Sequence, residues 1–176
     1  MKTKPTQNHK ILRIVIYLCV ASAISFFVIG RYNPGLKIGS FAPINDKILG
    51  LSGRSNSFKN LSAQKPMLVN FWATWCPPCQ KELPILSKMA AKYKKQISFV
   101  GAIVDSNKED VLALKDRFSL NYQLGFVDSA VMNNWRAETL PTTYIINPSG
   151  IVVWAKNGIL DQEILEAALK KALDSQ

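Results

Sequence analysis

Between Met67 and Tyr93 the chain passes from a buried strand into an amphipathic helix through two cysteines set three positions apart. No other feature narrows the fold as much. Met67 to Ala73 (MLVNFWA) is a short apolar run bounded by Pro66 and by the cysteine motif, the pattern of a buried strand. Cys79, Leu83, Leu86, Ala90 and Tyr93 recur at three- and four-residue spacing and predict a helix that starts at the motif. Cys76 then stands at the helix N-terminus, where the macrodipole and free backbone N–H groups favour a thiolate. Cys79 lies one turn further in, close enough for a disulfide and more shielded. Pro77 and Pro78 suit a first helical turn, where a missing N–H costs little. They also remove two donors from the Cys76 sulfur and leave mainly the amides of Cys79 and beyond.

A Cys-x-x-Cys is also half of a zinc site. The chain has only one other cysteine, Cys19, and one histidine, His9, both in the N-terminal segment. Dithiol chemistry is therefore favoured over metal, and no metal or other cofactor is expected. A His-based triad is excluded, and three cysteines are too few for a disulfide-dense scaffold.

Around this junction the pattern alternates. A hairpin is expected from Ile44 to Phe58 about Ser52-Gly53-Arg54, and a second buried strand from Ile97 to Val104. Ser106 with Glu109 forms a capping-box pattern for a helix burying Val111, Leu114 and Phe118. Leu124 to Val127 reads as a short strand, followed by a helical segment through Trp135. Thr143–Ile146 and Ile151–Ala155 read as strands joined by Asn-Pro-Ser-Gly at 147–150. Asp161 caps a last helix that presents Leu165, Leu169 and Leu173. This order predicts an α/β domain with a mixed central sheet flanked by helices.

The net charge of +10 is unevenly spread. Up to Lys37 there are six basic residues and no acidic one; the remainder holds sixteen basic and twelve acidic residues. An excess of four, without aromatic-interleaved basic stripes, argues against nucleic-acid binding. The tail brackets an uncharged run, Ile14 to Gly30, extended back to Ile11 around Arg13. As a helix this run reaches about 30 Å, enough to cross the hydrocarbon core of a bilayer. Positive charge is denser before the run than after it, which places the N-terminus in the cytoplasm. A signal peptide cleaved after Ala21-Ser22-Ala23 is the alternative; the apolar run continues well past that site and favours an uncleaved anchor. Cys19 reads as a small apolar membrane residue. The expected organisation is a basic cytoplasmic tail at 1–10, a transmembrane signal anchor at 11–30, a linker at 31–37 and one domain at 38–176.

The strand, WCPPC and helix, with Leu140-Pro141-Thr142-Thr143-Tyr144 before a later strand, resemble the thioredoxin-like fold. FWATWCPPCQKELP (71–84) resembles the membrane-anchored TlpA/ResA/CcmG (DsbE) group of bacterial thiol–disulfide oxidoreductases. That resemblance implies Cys76 as nucleophile, Cys79 as resolving thiol, a redox-active Cys76–Cys79 disulfide, and Trp75 flanking the site. It implies a cis Pro141, with the Leu140 peptide pairing to the substrate backbone as an added strand; Pro77, Pro78, Leu140 and Pro141 are thus substrate-binding positions. Pro84 falls where the family's helix is kinked. Asn70 stands where thioredoxin has a proton-exchanging aspartate. Glu82 matches a glutamate of the group and is the expected proton acceptor for Cys79; otherwise it reads as a solvated surface carboxylate. Arg136 and Ala137 depart from the group's Gly-Val pair.

These features predict an outward-facing protein at the bacterial cytoplasmic membrane that reduces protein disulfides. The resemblance implies haem-binding cysteines of apocytochrome c or copper-site assembly proteins as substrates, and a membrane electron donor of the DsbD/CcdA kind. A disulfide-forming oxidase uses the same chemistry in reverse, its direction set by partner potentials. A non-catalytic binding module or copper chaperone is disfavoured by the cysteine pair and the lack of histidine. A peroxidase does not fit WCPPC.

Overall fold

A computed structural model describes the backbone of residues 7–30 and 35–174, and the side chains of 11–22 and 35–174. The chain divides into two units, Met1–Asn33 and Pro34–Gln176. The first contains helix α1 (Gln7–Gly30), within which the expected span 11–30 falls. The side chains of 23–30 and the linker residues 31–34 lie outside the described residues, as do the first six residues of the basic tail. Among the described residues no helix is long and apolar enough to cross a membrane.

The second unit is built on one seven-stranded sheet. Its elements are β1 (Lys47–Gly50), β2 (Ser55–Ser57), α2 (Phe58–Ser62), β3 (Met67–Trp72), α3 (Pro77–Tyr93), β4 (Ser98–Val104) and α4 (Lys108–Arg117). They continue with β5 (Gln123–Val127), α5 (Ser129–Asn134), β6 (Thr142–Ile146), β7 (Val152–Asn157) and α6 (Gln162–Asp174). The strand order is β2-β1-β5-β4-β3-β6-β7. β3, β4 and β5 run parallel, while β6, β7 and the β1–β2 hairpin add antiparallel margins. This is the mixed sheet flanked by helices that the sequence predicts, in a thioredoxin-like arrangement.

All six residues of β3 are buried, and alternation sends them to two cores. Leu68 and Trp72 face α3 and α6, among Leu83, Leu86, Leu165 and Leu169. Met67, Val69 and Phe71 face α2 and α5, where Phe71 packs with Phe58, Trp135 and Tyr144 at centroid separations of 5.4 to 6.5 Å. Asn70 lies on the α3 face, in register with Gly101 of β4 and Thr143 of β6.

Two local expectations change. The N-cap of α4 is Asn107, whose Oδ1 accepts from Asp110 N at 2.8 Å, and not Ser106 with Glu109. An amide one residue later captures the cap because the Ser106 hydroxyl is engaged elsewhere, donating to Val104 O at 2.9 Å. Phe58 ends no strand; Ser57 caps α2 there through Asn60 N, and Phe58 is buried against Trp135 at 4.6 Å between centroids. Lys92, in the last turn of α3, pairs with Glu166 of α6 at 2.6 Å and ties the two helices that share one face.

Phe71 is fully buried at the centre of the aromatic cluster. Phe71→Ala is expected to lower the unfolding free energy by about 3–5 kcal/mol, the cost of a large-to-small core change, measured by urea denaturation.

Candidate active site

The strand-to-helix junction is held by a set of short bonds. β3 ends at Trp72, and the loop to Cys76 is fixed against β4 by Thr74 N, which donates to Ser106 Oγ at 3.0 Å. Gln80 Nε2 donates back to Thr74 O at 2.7 Å, and the Trp75 indole donates to Asp105 O at 2.7 Å. Asp105 has φ of +40°, a conformation that costs a non-glycine residue about 1 kcal/mol or more. Its carbonyl thereby anchors Trp75, a residue that is 60% exposed.

Cys76 is the N-cap of α3, with Pro77 and Pro78 in the first turn. As the two prolines require, the first amide to reach its sulfur is that of Cys79, at 3.3 Å. The two cysteines form a disulfide with Cα atoms 5.3 Å apart. Cys76 retains 4% exposure and Cys79 none. Cys76 opens on a groove of about 490 Å³ whose walls are Trp75, Pro77 and Pro78 on one side and Leu140 and Met132 on the other. Leu140–Pro141 is a cis peptide bond at the entry to β6. Sequence reasoning placed Trp75, Pro77, Pro78, Leu140 and Pro141 near the cysteines; all but the buried Pro141 line this groove with Cys76. It missed Met132, Val104, Asp105 and Glu138, which also line it. Their proximity depends on where β4 and α5 end, which no local spacing encodes.

Glu82 is not a surface carboxylate. One turn beyond Cys79 on α3, it is fully buried. Its Oε1 accepts from Asn70 Nδ2 at 2.7 Å and its Oε2 from Leu160 N at 3.0 Å. Burial pushes its pKa up to about 7, partly offset by those two donors. The same Asn70 Nδ2 donates to Thr143 Oγ1 at 2.9 Å, so one amide joins β3, α3 and β6. Leu160 N was not foreseen; it arrives from the segment before α6, seventy-eight residues away.

A carboxyl that titrates near 7 in the folded chain and near 4.5 when unfolded binds its proton more tightly in the folded state. Its contribution is most favourable below about pH 4.5 and is lost as pH rises to about 7. Glu82 is therefore expected to lower the stability of the oxidised protein by about 3 kcal/mol across that window, and Glu82→Gln to remove that slope. Chemical denaturation at closely spaced pH values checks this.

A family model for the AhpC/TSA family matches residues 39–155. The thiol–disulfide oxidoreductase ResA of Bacillus cereus is 31% identical over 173 residues, covering 94% of this chain and 97% of its own. The thioredoxin-like protein YneN of Bacillus subtilis is 27% identical, covering 77% and 80%. Among solved structures, a candidate DsbE-type thiol:disulfide interchange protein from Chlorobium tepidum superposes with a TM-score of 0.71 at 25% identity, covering 78% of this chain and 99% of its own. With the cysteine pair at a helix N-terminus and the match over nearly its whole length, the chain belongs to the AhpC/TSA family, among its ResA-like thiol–disulfide oxidoreductases.

Proposed function

We propose that the protein is an extracytoplasmic, membrane-anchored reductase of protein disulfides. The observation that supports the dithiol chemistry of this reading is the inequality of the two sulfurs: Cys76 opens on the groove, whereas Cys79 is sealed inside, one turn from the buried Glu82. In this reading Cys76 attacks the partner and Cys79 resolves.

In the reduced protein the Cys76 thiolate attacks one sulfur of a substrate disulfide, and the other substrate sulfur leaves as a thiolate. Cys79 gives its proton to Glu82 and attacks the Cys76 sulfur of the mixed disulfide. The second substrate sulfur leaves, and the two electrons gained by the substrate are matched by a new Cys76–Cys79 disulfide. A carboxyl titrating near neutrality suits it to take a thiol proton and release it again. With the disulfide closed, Cys79 carries no proton, which accords with Glu82 bonding only to N–H donors. In this reading the substrate backbone pairs with the Leu140 peptide at the groove wall.

For the anchor, α1 is 24 residues long, about 36 Å as a helix, and the apolar side chains from Ile11 to Val20 are exposed. The acid-free basic tail orients the N-terminus inward and the domain outward across the bacterial cytoplasmic membrane. An oxidising compartment requires electrons from a membrane donor of the DsbD/CcdA kind, with apocytochrome c cysteines or copper-site assembly proteins as the substrates.

Acid quenching and alkylation of intact cells is expected to find the Cys76–Cys79 pair mostly reduced; a mostly oxidised pair would overturn the direction and favour an oxidase. Cys79→Ser is expected to accumulate a mixed disulfide at Cys76 whose mass identifies the partner, and Cys76→Ser to accumulate none. Glu82→Gln is expected to slow resolution about 100-fold, the lower range for general acid–base catalysis. Unchanged kinetics would remove Glu82 from the mechanism.

A further inference from the structure

The α3-side core contains polar atoms that the chemistry above does not use. Asn70 is fully buried, and Nδ2 serves both Glu82 and Thr143, yet Oδ1 of the same amide has no partner among the described protein atoms. Two residues along the strand, the fully buried Trp72 leaves its indole Nε1 without an acceptor. The buried hydroxyl of Tyr122, just before β5, is likewise unpartnered. Buried polar groups rarely stay unmade, so three in one core ask for a common explanation.

The backbone brings the three together. Asn70 is paired in register with Gly101, the one position in that row without a side chain. A Cβ placed on Gly101 would lie 2.6 Å from Leu124 Cδ2, 2.9 Å from Trp72 Nε1 and 3.2 Å from Tyr122 Cε2. A leucine methyl, the indole nitrogen and the edge of the phenol ring thus border the position that glycine leaves beside Asn70. A fourth orphan among the described residues, Trp135 Nε1, belongs to the opposite core.

Their chemistry is complementary. Trp72 Nε1–H only donates, Asn70 Oδ1 only accepts, and the Tyr122 hydroxyl does either. We propose that Asn70 Oδ1, Trp72 Nε1 and Tyr122 Oη hold one internal water molecule beside Gly101, and that this water fixes the Asn70 amide in the orientation that donates to Glu82. Three bonds are the usual complement of a buried water. It accepts from Trp72, donates to Asn70 and exchanges a bond with Tyr122.

The consequence lies in the amide, whose two ends are alike in shape and opposite in hydrogen bonding. As placed, Nδ2 supports an ionised Glu82. Rotated by half a turn, Oδ1 would accept from a protonated Glu82 and from the Thr143 hydroxyl. A donor held at Oδ1 selects the first state. Trp72 and Tyr122 are therefore positioning residues that act on Glu82 through the water and Asn70. The groups that face the Glu82 carboxyl are Asn70 from β3, the Leu160 amide before α6 and, by its electrostatic influence, Tyr122 before β5; the titratable neighbours on its own helix are the paired cysteines. No charged side chain contributes to its titration.

The bearing of this site on catalysis rests on the role proposed for Glu82, whereas the water site does not. The test uses the full-length oxidised protein in detergent micelles, with carboxyl-labelled glutamate and ¹⁵N-labelled tryptophan. A cross-peak between the Trp72 Nε1–H and water is expected in the unmodified protein. In Tyr122→Phe the Glu82 carboxyl is expected to titrate about one pH unit higher, while Thr143→Val, which spares Oδ1, moves it less. Absence of the water cross-peak, or a Glu82 titration unmoved by Tyr122→Phe, overturns the proposal. The cross-peak is read before any substitution, so a variant that misfolds leaves that arm standing. If Glu82→Gln leaves turnover unchanged while water and titration behave as expected, the base role fails and the water site stands.

Discussion

β3 is the constraint on which the rest of the domain depends. It is hydrogen-bonded to β4 on one side and β6 on the other, and both of its faces are covered. Its alternate residues therefore seed two cores at once, and its end delivers the chain to Cys76. Strand and helix share no freedom at the join, because Thr74, Trp75 and Gln80 each spend a polar group on holding it. A cysteine placed there has a defined direction: its sulfur meets the first available amide of α3 and faces the groove. The reactivity of the pair is in this sense a property of a strand terminus.

The same strand carries one polar side chain, Asn70, within an otherwise apolar buried run. Asn70 is tolerated because it joins three elements, and Glu82 is tolerated because Asn70 and Leu160 satisfy both of its oxygens. Desolvation still outweighs those bonds and moves the carboxyl toward neutrality. A carboxylate in water would titrate too low to compete for a thiol proton; one buried without donors would stay protonated. The balance between the two sets the titration of this carboxyl, and it costs stability above acidic pH.

Much of the fold could be read from the chain. Short apolar runs located β3 and β4, and three-to-four-residue spacing located α3 and α6, because these elements bury both faces or one continuous face and their composition records it. Capping was read less well. Ser106 and Glu109 have the spacing of a capping box, but Asn107 takes the cap because the Ser106 hydroxyl is held between Thr74 and Val104. A local rule offered two uses for the Ser106 side chain, and a residue distant in sequence decided between them.

What the sequence determined by itself is the strand–WCPPC–helix junction, the alternating α/β order, and the charge and hydropathy asymmetry of the first 37 residues. These depend on neighbours within a turn or two, so they are written in spacing and composition. The tertiary structure decided which carboxylate is buried, which amides hold it, and what forms the far wall of the groove. Glu82 is sealed by Asn70, twelve residues before it, and by Leu160, seventy-eight after it. Leu140 reaches Cys76 because β6 starts, antiparallel, beside the end of β3, and Met132 arrives from α5. Burial and long-range pairing set the electrostatics of a site, and neither is a property of any short stretch of chain.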